Sequence, residues 1–281
     1  MWGQGKEFFQ DAISSFVCQR GSSMISLCTN APLSETALLH LVQLPNLRHW
    51  STSQAPPRTI PTSVFPPLAG VHLDRPAALP WLHLLASHGK SITQSGNTMA
   101  TSHTNVRETL KSLRCPWGTT IESTLLSSIT SFRNLVRLHA DSYCARSCTF
   151  RLTDDDTKDL ASVLPRLESL QLGLPCRFDS CNTTVTSLLS LSVHCPGLKI
   201  LEIHFNTGTI IRDTRRLLDE GVGHEKARCM VSELSVGHLQ ATIPKKDIEN
   251  VAMGLKVIFP HLKNLLGKYG PRSKSIYEIV D

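Results

Sequence analysis

One phrase recurs through this chain and constrains its fold more than any other feature: an apolar residue, usually a proline next, then a leucine that opens a short apolar run. It reads Leu164-Pro165-Arg166-Leu167 before Glu168-Ser169-Leu170-Gln171-Leu172, and Cys195-Pro196-Gly197-Leu198 before Lys199-Ile200-Leu201-Glu202-Ile203. It returns as Phe259-Pro260-His261-Leu262 before Lys263-Asn264-Leu265-Leu266, with weaker copies starting at Phe132, Phe65 and Leu44. The anchor leucines Leu135, Leu167 and Leu198 follow one another at nearly equal intervals, and the stretch from Leu198 to Leu262 is two such periods. A unit is therefore hidden between them, and Glu233-Leu234-Ser235-Val236 fills its place. Upstream, the stretch from Leu68 to Leu135 is again close to two periods, with Leu110-Lys111-Ser112-Leu113 as the middle strand, while Leu47 and Leu68 stand much closer together, an irregular first turn.

Each run is followed by a loop and a helical pattern. In residues 152–164, Leu160, Val163 and Leu164 fall at i, i+3 and i+4. Thr153 with Asp156 three places on is a capping box with Asp in place of Glu, and Asp154-Asp155-Asp156 suits the positive end of the helix dipole. Pro165 ends the helix, since it has no N–H and disfavours helical geometry at the residue before it. The same order recurs in 184–193 before Pro196 and in 246–258 before Pro260, and the charged stretch 212–228 reads as an insert within its unit.

In an extended run the alternate leucines share one face, and one such unit cannot bury that face alone. Stacking does so, which predicts an α/β fold: an irregular leucine-rich-repeat-like solenoid arc with parallel strands on the concave side and helices on the convex side. The units, about 31–36 residues long, exceed the 20–29 usual for such repeats, hence the irregularity. The competing reading is an ordinary α/β domain. The arc is expected over residues 35–268, with long loops near 51–64 and 86–105. Residues 1–34 are poorly patterned, or a partial first unit, and 269–281, with Gly270-Pro271, read as a flexible tail.

Composition narrows the function classes. No apolar run approaches the roughly 18 residues of a membrane span; the longest, 77–86, is broken by Pro80 and His83. The start, with Lys6, Glu7 and Asp11 around Phe8 and Phe9, lacks a signal-peptide pattern, so a cytoplasmic or nuclear address is expected. The net charge of +6 is scattered, without basic blocks interleaved with aromatics, and 6% aromatic content is low, so neither nucleic acid nor membrane is an expected partner. Nine cysteines, an odd number, are expected as reduced thiols.

No catalytic constellation is legible. There is no His-Glu-x-x-His, no Gly-x-Ser-x-Gly and no phosphate-cradling Gly-Lys-Ser/Thr loop, and Gly221-Val222-Gly223 lacks the third glycine of a dinucleotide turn. Asn182-Thr183-Thr184 is a glycosylation sequon, inert unless the protein is secreted. Cys144, Cys148, Cys176 and Cys181 follow the strands of adjacent units, and stacking would offer four thiolates to zinc, although spacings of three and four are looser than the usual two. Free thiols are the expected state, with no cofactor, and a zinc site and a disulfide are the alternatives.

Several runs carry a family resemblance: Leu113-Arg114-Cys115-Pro116-Trp117-Gly118, Ser131 to Leu138, Leu152 through Asp156 to Leu164-Pro165-Arg166-Leu167-Glu168, Cys195-Pro196-Gly197-Leu198 with Leu201 to Thr207, and Val257 to Leu262. Over roughly 31–268 they resemble the leucine-rich-repeat region of fungal, mushroom-type F-box proteins. What the resemblance implies is the substrate-recognition part of a cullin-RING ubiquitin ligase subunit, in which an N-terminal F-box docks the adaptor and the repeats hold an as yet unidentified target. The sequence has no Leu-Pro-x-Glu opening and no three-helix apolar pattern ahead of the first repeat, so the adaptor is an expected partner only if an F-box lies upstream. Without one, a stand-alone scaffold or inhibitor is expected, and zinc binding by the four cysteines is a further alternative.

The arc predicts its own binding row. Residues between the core leucines face out of the sheet, on strands roughly 4.8 Å apart. The row is His72, His139, Gln171, Glu202 and Ser235, flanked by Arg137, Asp141, Gly173 and His204, a polar set of mixed charge that suits a protein target.

Overall fold

The computed structural model describes residues 4–57, 65–73, 78–87, 105–117, 123–142, 151–173, 182–204, 206, 209–220, 229–236, 245–269 and 273–278. It is an α/β protein of the solenoid type, and the chain divides into two compact units, Met1–Pro116 with Ser131–Leu135, and Trp117–Thr130 with Val136–Asp281.

The first unit begins with α1 (Gln4–Arg20) and β1 (Ser26–Thr29), followed by α2 (Glu35–Leu41), β2 (His49–Thr52), β3 (Gly70–Leu73), α3 (Ala78–Ser87), α4 (Val106–Thr109) and β4 (Ser112–Trp117). β1 pairs with β2, β2 with β3 and β3 with β4, all parallel and in sequence order. The sheet therefore starts at Ser26, inside the segment expected to be poorly patterned. From Gln10 on, the buried positions of α1 are Ser14 and Val17 rather than leucines, which gives the sequence pattern little to show, and Ser14 Oγ accepts a bond from the backbone N–H of Ser34, the N-cap of α2, at 2.9 Å. β2 occupies the start of the expected 51–64 loop, and most of the 86–105 loop lies outside the described residues.

The second unit comprises α5 (Ser123–Ile129), β5 (Arg137–Ser142), α6 (Asp154–Val163), β6 (Ser169–Leu172), α7 (Val185–His194), β7 (Ile200–Ile203), α8 (Ile210–Glu220), β8 (Glu233–Val236), α9 (Lys245–Ile258), β9 (Asn264–Tyr269) and β10 (Ser273–Glu278). β5 to β9 are parallel neighbours in sequence order, and the hidden strand lies at Glu233–Val236, where the spacing puts it. Two expectations change. The charged insert 212–228 contains α8, whose Ile210, Thr214 and Leu217 are buried at i, i+4 and i+7 among charges that mask the periodicity. The expected tail contains β10, antiparallel to β9, which pairs an edge that a parallel stack would leave open.

The recurring phrase has a structural meaning. In five copies the anchor N–H bonds back three residues to the apolar residue opening the phrase: Leu47 to Leu44, Leu135 to Phe132, Leu167 to Leu164, Leu198 to Cys195 and Leu262 to Phe259, at 3.0–3.3 Å; in the copy at Phe65 the Leu68 N–H bonds to Pro66 O instead, at 2.7 Å. The carbonyl just past one anchor then accepts two N–H groups from the next copy. Val136 O takes Glu168 and Ser169, Glu168 O takes Lys199 and Ile200, and Lys199 O takes Ser232 and Glu233. Arg48 O and Ala69 O do the same in the first unit. These shared acceptors set the strand register, while Leu138, Leu170, Leu201 and Leu234 on the inner face are fully buried. Each such side chain stabilises the stack by about 1.5–3 kcal/mol through area removed from water.

The capping box of α6 forms as its sequence predicts. Thr153 Oγ1 accepts from the Asp156 N–H, and Asp156 Oδ2 accepts from the Thr153 N–H. Asp154 goes further: its carboxylate accepts from the N–H and hydroxyl of Thr184 at 2.7 Å each and from the Ser187 hydroxyl, tying the start of α6 to the start of α7. A carboxylate at two helix N-termini also answers both dipoles.

Candidate functional site

In the second unit, the inner face of the parallel sheet is core and the outer face carries two rows fixed by strand register. One row is Arg137, Ser169, Ile200, Glu233 and Asn264; the other is His139, Gln171, Glu202, Ser235 and Leu266. Period-two alternation puts both rows on the side opposite the buried leucines.

The two rows differ in reach. Arg137, Ile200 and Glu233 are exposed, and Ile200 leaves half its surface open to solvent. In the other row His139, Gln171 and Glu202 are half-buried, with His139 Nε2 3.1 Å from Ser169 Oγ. Ser235 is 7% exposed, and so lies in the expected row but below the surface. His204 is 5% exposed; its carbonyl accepts the hydroxyl of the buried Thr183 at 2.7 Å and its N–H bonds to Leu172 O. Gly173 is buried with φ of 81°, a left-handed conformation at the end of β6 that favours glycine, and its N–H bonds to Ala140 O. His204 and Gly173 are thus framework where the sequence reading had them flank the site: each is buried and stands one residue past the end of its strand. Asp141 stands in β5, whose range reaches Ser142.

The row that sequence reasoning missed is the outermost one beyond Arg137. Its signal was present, because extending the alternation from Arg137 by one period reaches Ser169 and then Ile200, a large aliphatic at an outward position. From Arg137 to Glu233 is three strand intervals, about 14 Å. Beside it, Lys199 Nζ and Glu168 Oε2 form a surface pair at 3.0 Å, worth at most about 1 kcal/mol.

In the first unit the outward rows are Ser26, His49, Gly70 and Ser112, and Cys28, Ser51, His72 and Arg114. His72 therefore lies where the sequence places it, with Nδ1 3.4 Å from Ser51 Oγ. A Cβ on Gly70 would come within 2.7 Å of His49 Nδ1, so the missing side chain is what lets the His49 ring lie across β3.

The four candidate zinc ligands Cys144, Cys148, Cys176 and Cys181 lie outside the described residues. Among the described residues no group of three or more His, Cys, Asp or Glu side chains is arranged to hold a metal ion, and no helix is long and apolar enough to cross a membrane. Of the sequon, Asn182 is exposed, while both following threonines spend their hydroxyls inside the fold, Thr183 on His204 and Thr184 on Asp154.

Cys195 and Cys229 stand just before the anchors of successive repeats, three residues ahead of Leu198 and two ahead of Val231, and are fully buried. Cys195 Sγ points at Ala161 O and Leu164 O, and Cys229 Sγ at Cys195 O and Leu198 O, at 3.4–3.7 Å. Burial, with the neighbouring Cys229 adding to it, pushes the Cys195 thiol up to about 12, and burial pushes Cys229 up to about 11 against backbone hydrogen bonds that lower it. Thiols held protonated in this way are packing groups rather than nucleophiles.

Neither a family model nor a curated protein matches this chain.

Proposed function

We propose that this chain is a non-catalytic protein-recognition domain and, on the resemblance of its repeats, the substrate-holding part of an F-box-type ligase subunit. The observation that carries the recognition reading is the row from Arg137 to Asn264. It sets an exposed isoleucine between a cation and a carboxylate, on strands whose register is fixed by shared backbone acceptors. An apolar centre with a polar rim on a rigid platform is the arrangement in which a few residues carry most of the binding energy of a protein interface. Mixed charge along the same row argues against a phosphate backbone as the ligand, since that would meet Glu233 with repulsion.

The test is affinity capture from the source cells by the tagged chain and by its Ile200→Arg variant. Expected are stoichiometric partners captured by the parent and lost at least tenfold in the variant; equal capture by both overturns recognition through this row. The adaptor and cullin among the captured proteins support the ligase role, and their absence from an otherwise successful capture with the full transcript product overturns it in favour of a stand-alone repeat scaffold.

A further inference from the structure

The exposed row of the second unit sets the order of charges in its ligand, and with it the ligand's conformation. Arg137 and Glu233 are both exposed, and among the described residues neither is held by an ion pair or a side-chain hydrogen bond. Strand register puts them on one face with Ile200 between them: Arg137 lies opposite Ser169, Ser169 opposite Ile200 and Ile200 opposite Glu233. The strand spacing sets Arg137 about 10 Å from Ile200 and Ile200 about 5 Å from Glu233. The two charges are thus about 14 Å apart, beyond the screening length of about 8 Å at physiological ionic strength, and neither neutralises the other. We propose that this row binds an extended peptide segment of the partner protein, which crosses the strands with an acidic residue at i, an aliphatic one at i+2 and a basic one at i+4, in either chain direction. The inference rests on the protein-recognition reading above and adds the class of ligand to it.

An extended chain advances about 3.4 Å per residue and sends alternate side chains to one side, so positions i and i+4 stand about 14 Å apart on a common face. That is the span from Arg137 to Glu233. Position i+2 falls between Ser169 and Ile200, where a leucine-sized side chain reaches the exposed half of Ile200. At one end the Arg137 guanidinium grips a carboxylate through two parallel hydrogen bonds, and at the other Glu233 meets a cation. Ser169 Oγ, 3.1 Å from His139 Nε2, floors the track without a charge of its own. A helix fits this track less well, being roughly 10–12 Å across. The neighbouring row holds the half-buried His139, Gln171 and Glu202 and the buried Ser235, so the exposed track is one residue wide.

The test uses three fluorescein-labelled threonine heptapeptides with leucine at the fourth position. At the second and sixth positions they carry aspartate and lysine, two aspartates, or two lysines. Each is titrated with the whole chain at low ionic strength and followed by anisotropy. Expected is binding of the mixed peptide at least fivefold tighter than of either like-charged one, with a loss of at least fivefold in Ile200→Ala. Charge reversal is expected to move the preference rather than abolish it: Arg137→Glu takes the dilysine peptide most tightly, and Glu233→Lys the diaspartate peptide. A variant that merely failed to fold would bind none of the three, and should one reversal fail to fold, the other carries the same test. No binding by the folded parent, equal affinity for the three peptides or a preference that does not move overturns the proposal. So does tighter binding of an alanine-based helical peptide with the same three side chains at i, i+7 and i+11. If the proposal fails while Ile200→Arg still strips partners from the captured set, recognition through this row stands and only the extended ligand is lost.

Discussion

The two units of this chain share one strand grammar but differ in everything between the strands. In the second unit the buried anchors Leu167, Leu198, Val231 and Leu262 follow one another at nearly equal intervals; in the first, Leu47, Leu68, Leu110 and Leu135 do not, the middle interval being twice the one before it. Helices of 10, 10, 11 and 14 residues, α6 to α9, fill the regular crossovers, whereas in the first unit α3 has 10, α2 has 7 and α4 only 4. Yet the anchors are buried alike, and the bifurcated bonds at the strand starts recur on Arg48 and Ala69 as on Glu168 and Lys199. Register in this fold is therefore set at the turn, by the anchor and the shared acceptor, and crossover length is free to vary.

The described core of the first unit is built partly on aromatics. Trp50 and Trp81 meet edge to face with centroids 4.5 Å apart, Phe65 joins Trp81 at 6.4 Å, and the Trp81 indole donates to Gln54 O at 2.7 Å. In the second unit the helices α6 and α7 bury leucines, Leu160, Leu188 and Leu191, and no aromatic. The sharpest way to break the comparison is Trp81→Ala. It removes a fully buried indole together with its hydrogen bond and leaves Gln54 O without that donor, so a loss of about 4–5 kcal/mol is expected from urea unfolding followed by circular dichroism. A loss under about 1 kcal/mol would mean that the aromatic cluster contributes little to the packing of the first unit.

The second unit has its own critical contact, where α8 crosses α9. A Cβ on Gly254 would stand 2.4 Å from the Thr214 Cβ and 3.1 Å from its Cα, and Thr214 is fully buried with its hydroxyl bonded to Ile210 O. Backbone cannot yield as a side-chain tip does. Gly254→Ala is expected to destabilise by about 2–3 kcal/mol, against the gain in helix propensity of roughly 1 kcal/mol that the same change brings at an open helical site. Adding Thr214→Gly, which removes the opposing Cβ, is expected to recover part of the loss in a double-mutant cycle, and purely additive effects would show that the two residues do not define the crossing.

Most of what repeats was legible, and most of what does not was hidden. The turn phrase fixed β6, β7 and β9, and counting its period located β8, because local chemistry and spacing agree there. The capping box at Thr153 and Asp156 was legible for the same reason, both partners lying within one helical turn. The tie from Asp154 to Thr184 was not, since its partner stands 30 residues on and is brought close only by stacking. Charge masked the buried stripe of α8, and β10 was unreadable because its cause is an edge that exists only once β9 is in place. At the candidate site, alternation named the outward residues correctly from His139 to Glu202, but it could not say where each strand stops. That is why His204, one residue past the end of β7, turns out to be buried, whereas Ser235 is buried within β8 itself.

The regular spacing of the second unit extends to its thiols, and this yields the subtlest test of the comparison. Cys195 and Cys229 stand about one repeat apart, each aimed at carbonyls of the preceding repeat, so each sits in the buried seam between two repeats of the second unit. The folded Cys195 thiol keeps its proton up to about 12, while the unfolded thiol releases it near 9.0. Between those values the unfolded chain binds fewer protons than the folded one, so raising the pH favours unfolding: the contribution is whole below about 9 and is lost as the pH climbs towards 12. At pH 10 the loss is about 1.4 kcal/mol for this thiol. The urea midpoint of the parent is therefore expected to fall further between pH 8 and pH 10 than that of Cys195→Ala, which has no thiol to ionise. Over the same range the exposed Cys18 and Cys28 are expected to be alkylated by iodoacetamide in the native protein, while Cys195 and Cys229 react only after unfolding. Equal pH dependence in parent and variant, together with rapid native alkylation of Cys195, would mean that the seam is wet and that the second unit is packed no more tightly than the first.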